Sequence, residues 1–212
     1  MRDIFGKINF TKRDFLVVTL LFISVFGWYY MGTEIIEKKL LIFVTSEESQ
    51  VIWFTFNFSV IGSSIFGAIL SKKLNNHQFL YGWTILGVMV SLSPMILNNI
   101  SFIQVFSISF LLGVSFGLGM PSFLQYFADS TNVENRGRIG AISFLVANVS
   151  VPILMVVVKN FDLLLVSLVF SFVRAIGLIL FFSKQEKNVV ESKSKDSFFS
   201  ILSDIHSSLR EL

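Results

Sequence analysis

The chain of 212 residues contains no cysteine, which excludes disulfides, thiolate metal sites and cysteine nucleophiles. Charge is scarce as well: 15% of residues are Asp, Glu, Lys or Arg, where a soluble domain carries about 25%. Such a deficit calls for a solvent other than water, and lipid is the obvious one. Only 3 prolines against 25 phenylalanines argue for long apolar helices rather than a loop-rich β fold. The 2 histidines, His77 and His206, fall in polar segments, and no HExxH, Ser-His or paired-carboxylate arrangement lies within the apolar runs. Membrane protease, metalloenzyme and phosphotransferase chemistry thus has no residues to stand on. No enzymatic activity, metal or cofactor is expected.

What is present is apolar length. Hydrophobic residues make up 53% of the chain and the mean hydropathy is +0.73. A bilayer core about 30 Å thick takes ~20 helical residues at ~1.5 Å each. Between Leu74 and Ala128 there is no acidic residue, Lys or Arg, a stretch of 55 residues. As one helix it would be about 80 Å long, too long for one crossing. Pro94, followed by Asn98-Asn99-Ile100-Ser101, supplies the break. Six spans follow, near Phe15–Ile36, Val51–Leu70, Phe79–Leu97, Phe102–Tyr126, Ile139–Val158 and Leu163–Phe182. The basic leader before the first span is not followed by a small-residue cleavage site, so that span is read as retained.

An even span number puts both termini on one side. Thirteen of the 17 basic residues fall on that side and Lys38, Lys39 and Lys159 on the other, with Arg174 inside a span. The positive-inside rule makes that side cytoplasmic and the chain a multi-pass protein of the cell membrane. The net charge of +3 is explained by this topology, and nucleic acid is not an expected partner, since no basic stripe with interleaved aromatics occurs. The organisation expected is a cytoplasmic N-terminus (1–14), a six-span bundle (15–183), a charged Ser-rich linker (184–195) and an amphipathic cytoplasmic segment (196–212). In the last, Phe198, Ile201, Leu202, Ile205 and Leu209 recur at helical spacing, too short and polar to span.

Small residues mark the spans buried against neighbours: Gly62-Ser63-Ser64 and Gly67, then Gly113, Gly117 and Gly119, then Gly140, Ala141, Ser143, Ala147 and Ser150. The loop after span two reads Gly67-Ala68-Ile69-Leu70-Ser71-Lys72-Lys73-Leu74-Asn75-Asn76. From Gly113 the chain runs Gly113-Val-Ser-Phe-Gly117-Leu-Gly119-Met-Pro121, then Tyr126-Phe-Ala-Asp129 and Glu134-Asn-Arg136-Gly137-Arg138-Ile-Gly140. These segments resemble the major facilitator superfamily of transporters: its loop pattern after the second helix, its glycine-rich fourth helix with a Pro, and the Arg-Gly-Arg approach to the fifth. Gly67 and Lys72 match the loop pattern. Ser71 stands where Asp is usual, Leu74 where Gly is usual, and Asn75 and Asn76 where basic residues are usual. The resemblance covers about residues 10–183 and is strongest over 113–140.

The resemblance implies an all-α membrane protein, a six-helix bundle built as a 3+3 inverted repeat, forming the N-terminal half of a transporter. It implies secondary transport by alternating access, with a site near the midplane between two halves. Gly67, Lys72, Asp129, Arg136 and Arg138 become candidates for a cytoplasmic latch, ion-paired in one state of the rocking cycle. Partners would be lipid, a small solute with a coupling ion, and a second six-span half or second copy. The chain then reads as a half, split or truncated transporter; a non-transporting scaffold or regulatory subunit is the alternative.

Charges inside spans are costly unless paired or wetted, so each is a site candidate. Arg174 lies about eight residues from the inner end of span six, roughly 12 Å deep, with snorkelling as its competing explanation. Gln125 and Asn148 are its nearest polar candidates by level. Glu34 sits at the outer end of span one beside Trp28, Tyr29 and Tyr30, which read as interfacial-belt anchors. Asn57, Gln104, Gln125 and Asn148 are uncharged candidates for the substrate site, with interhelical hydrogen bonding as the other reading.

Overall fold

The computed structural model describes residues 12–73, 76–97, 101–131 and 133–178. Every regular element among them is helical. Six helices run in chain order. α1 covers Lys12–Phe43, α2 Ser46–Lys73, α3 Asn76–Leu92, α4 Phe102–Ser130, α5 Val133–Asn160 and α6 Leu163–Ala175. Five are long and apolar enough to cross a membrane, and the sixth continues as an apolar helix to Leu178. The expected remainder of span six, the linker 184–195, the segment 196–212 and most of residues 1–14 lie outside the described residues.

Local chemistry explains the boundaries. Pro94 cannot continue the α3 hydrogen-bond ladder, and the helix tightens into a 3-10 turn over Ser93–Ile96. Ser101 caps α4, with Gln104 reaching back to its backbone N–H at 3.1 Å. Asp162 caps α6 by accepting from the Leu165 N–H at 3.3 Å. Pro121 and Pro152 lie inside α4 and α5, where neighbouring helices tolerate the lost bond. α1 is interrupted by two π-helical turns, Ile23–Gly27 and Ile36–Leu40. An inserted residue turns the following helix face by about 100°, so the first bulge sets where Trp28 points.

The helices pack by close backbone approach at small residues. α2 lies along α4: a Cβ at Gly113 would overlap Ser59, one at Gly117 would overlap Ser63 and the Val60 carbonyl, and one at Gly67 would overlap the Leu118 carbonyl. α1 lies along α5, with Thr19 and Ser143 hydroxyls 3.1 Å apart. α3 packs on α6 and on α4, and α1 also touches α6. The consecutive pairs α2–α3 and α5–α6 barely meet. Edge-on rings join α1 to α4 and α5: Phe22 stands 5.0 Å from Phe123 and Phe26 stands 5.1 Å from Phe144. Such pairs contribute about 0.5–1.5 kcal/mol each beyond their area. α1 and α4 are the best buried, at 61% and 50% of their apolar windows, and α2 and α5 the least, at 22% each.

Candidate functional site

Arg174 lies one residue before the end of α6 and is fully buried. Its guanidinium carbon sits 3.7 Å above the Trp83 ring and 5.0 Å from the Trp28 ring. Three helices build this chamber. On α3, Trp83, Gly87 and Ser91 recur at i, i+4 and i+8 and share one face. Gly87 leaves the room the arginine stem occupies, since a Cβ there would overlap Nε. Ser91 accepts a 2.6 Å hydrogen bond from the Trp28 indole and donates to the Gly87 carbonyl at 2.6 Å. Trp28 stacks on Phe170 of α6, with centroids 5.1 Å apart and planes 7° from parallel. Trp83 donates its indole N–H to the Ser115 carbonyl of α4 and fits where a Cβ at Gly119 would be. Ser24 donates to the Arg174 carbonyl at 2.9 Å.

The walls are therefore fixed, while the charge is not answered. None of the three guanidinium nitrogens has a hydrogen-bond partner among the described residues. Cation–π contact engages the charge and leaves the N–H donors unused; each desolvated contact contributes about 2 kcal/mol. Burying an unpaired ion costs several kcal/mol. The guanidinium thus presents five N–H donors among aromatic rings, the donor set that matches an oxygen anion.

The other candidates are dispersed. Glu34 is half-buried on α1, about 9 Å along the helix beyond Trp28. Asn57 and Asn148 lie on α2 and α5, and each donates at 2.8 Å to a carbonyl of its own helix, Trp53 and Phe144 respectively. Gln104 is held in the α4 capping box. Gln125 is exposed on α4. Neither Gln125 nor Asn148 bonds Arg174, whose surroundings are aromatic.

Of the latch candidates, Gly67 is buried against the Leu118 backbone. Arg136 donates to the Ala128 carbonyl at 2.7 Å and to the Thr131 carbonyl and hydroxyl at 3.3 Å, closing the C-terminus of α4. Asp129 and Arg138 are exposed, and the Lys72 side chain lies outside the described residues.

Trp28 requires a correction. Read as a belt anchor, it is 1% exposed and lies in the core. Its neighbours Tyr29 and Tyr30 remain partly exposed, so the interfacial reading fails for Trp28 alone, because the helix turns that one ring inward. Trp83 escaped notice as a site residue, although the Trp83–Gly87–Ser91 stripe of large, small and hydroxyl groups at four-residue spacing was legible.

Comparison of the chain with family models, curated proteins and solved structures finds no match.

Proposed function

We propose that the chain is a multi-pass membrane protein and one six-span half of an alternating-access carrier for a small solute, of the major facilitator type. The observation that carries this reading is the pairing of the helices. Exchange α1, α2 and α3 for α4, α5 and α6, and the contact pattern maps onto itself. The α2–α4 pair becomes α5–α1, α3–α4 becomes α6–α1, and α3–α6 becomes itself. The burial order follows the same exchange, α1 with α4 and α2 with α5. Three crossings separate the triplets, so the second begins on the opposite side, as an inverted repeat requires.

A lipid solvent accounts for the outer surface. Phe54, Phe58 and Phe66 of α2 are each about two-thirds exposed or more, a face that water would penalise heavily. Asn57 on this face of α2 is exposed, and Asn148 on the exchanged helix α5 is half-buried. Polar groups on such faces fit contact with a second half or a wet cavity better than contact with acyl chains.

Reconstitution in liposomes tests the proposal. Under an imposed proton or sodium gradient, protein alone or co-reconstituted with a second half should produce solute-dependent currents over a panel of small solutes. Currents absent from an intact, correctly inserted preparation of either kind would favour the scaffold reading.

A further inference from the structure

An apolar groove with a volume of about 290 Å³ opens between α3 and α4, lined by Gln78, Phe79, Gly82, Trp83, Leu86 and Leu118. Trp83 belongs both to this groove and to the chamber of Arg174, where the guanidinium lies on its ring. Two features meet at one indole: a groove with almost no polar wall, and a fully buried cation whose donors have no partner among the described residues. We propose that they form one binding site for a single-chain amphipathic carboxylate, the tail in the groove and the carboxylate on Arg174.

The chemistry selects each part of the ligand. The apolar lining admits a hydrocarbon chain and offers Gln78 alone as a polar side chain, outside, where it is exposed. A volume at the lower edge of the ~300–1,000 Å³ typical of ligand sites fits one chain or a small ring and not a two-tailed lipid. The guanidinium fork matches two carboxylate oxygens bidentately, and the flanking indoles leave its N–H groups free for that purpose. Among the described residues no carboxylate bonds Arg174, and Glu34 lies about 9 Å along α1 beyond Trp28. Joining tail and head requires the Trp83 ring to shift. That ring is held by one hydrogen bond to the Ser115 carbonyl, which a swing breaks. The membrane reading above supplies only the ligand's route, from the bilayer; binding itself is measurable in non-ionic detergent, so loss of transport and loss of binding are separate results.

The 3 tryptophans make the site its own reporter. In a Trp53→Phe background the emission comes from Trp28 and Trp83 alone, both against Arg174. The probe is 10-bromodecanoate, whose bromine quenches indole, with 10-bromodecanol as its neutral counterpart. The expected result is saturable quenching by the carboxylate that decanoate reverses and excess acetate does not. Arg174→Met should weaken carboxylate quenching at least tenfold and leave that by the alcohol unchanged. Gly82→Leu should weaken it at least tenfold by filling the groove. Gly82 is exposed and a Cβ there meets nothing within 4 Å, so this variant, its folding checked by its unfolding midpoint, decides the matter should Arg174→Met fail to fold. Equal quenching in parent and Gly82→Leu protein, equal quenching by acid and alcohol, or displacement by acetate would each overturn the proposal, the last in favour of a simple anion site.

Discussion

Gly119 and Gly87 determine how closely α3, α4 and α6 come together around Arg174. A methyl at Gly119 would lie inside the Trp83 ring, which would have to leave its place on Arg174 and break its bond to the Ser115 carbonyl. Gly119→Ala should therefore lower stability by about 1–3 kcal/mol. Gly62→Ala, whose methyl enters open space, should gain up to about 1 kcal/mol of helix propensity. Thermal unfolding in detergent compares the two, and a Gly119→Ala protein as stable as Gly62→Ala would contradict the packing of Trp83. Arg174 is the second test at this scale. Its guanidinium is buried without a hydrogen-bonding partner among the described residues, so Arg174→Met, which keeps the length and removes the ion, should raise stability by about 1–4 kcal/mol in ligand-free protein. A lowered unfolding midpoint would mean that the folded chain already satisfies the guanidinium.

At the scale of elements, α4 shows how residues that suit a site can instead hold a helix. Its first turn is closed by Ser101 and Gln104 and its last by Arg136. Gln104→Ala should cost about 0.5–2 kcal/mol, and Arg136→Gln, which removes a charge-assisted bond, about 1.5–3 kcal/mol. Asp129→Asn should change stability by no more than about 0.5 kcal/mol, because the carboxylate is exposed. Hydrogen exchange at the two ends of α4 distinguishes these outcomes: faster exchange in the first and last turns is expected for the first two variants only. An Asp129→Asn effect as large as that of Arg136→Gln would instead favour the ion-paired latch. The glycine pattern of α4 was readable as helix packing from the sequence. Gln104 reads as a site candidate although α4 begins at Phe102, the expected start of the span, so that Ser101 and Gln104 stand at capping-box spacing.

For the whole molecule, the absence of cysteine turns topology into a direct measurement. Lys159→Cys, at the end of α5, should react with an impermeant maleimide in intact cells, whereas Glu134→Cys, at its start, should react only after permeabilisation. The reverse pattern would invert the bundle and with it the proposed cytoplasmic latch. The α1–α5 pairing is tested by the double variant Thr19→Cys with Ser143→Cys, whose parent hydroxyls are 3.1 Å apart. Oxidation should close a disulfide in nearly all molecules, within the reach that such bonds demand. Failure to cross-link would remove one of the two pairs that the exchange of triplets relates, and the argument for a half-carrier would weaken with it.

The sequence by itself determined the solvent-facing chemistry, the number of helices and their breaks. Low charge, long apolar runs and Pro94 are local properties; α3, α4 and α6 begin within three residues of where those properties place them, while α1, α2 and α5 run five to seven residues further into the polar segments. It also singled out Arg174, because a lone charge in an apolar run is conspicuous without any structure. Only the tertiary structure decided what surrounds that charge. Trp28, Trp83 and Arg174 are separated by 55 and 91 residues along the chain, and nothing in local composition says that α1, α3 and α6 meet. Polar partners were expected by membrane depth, but depth fixes one coordinate and leaves open which helices are neighbours. The pairing of α6 with α3 and α1, with close approaches at Gly87 and Gly32, placed indoles rather than amides around the guanidinium.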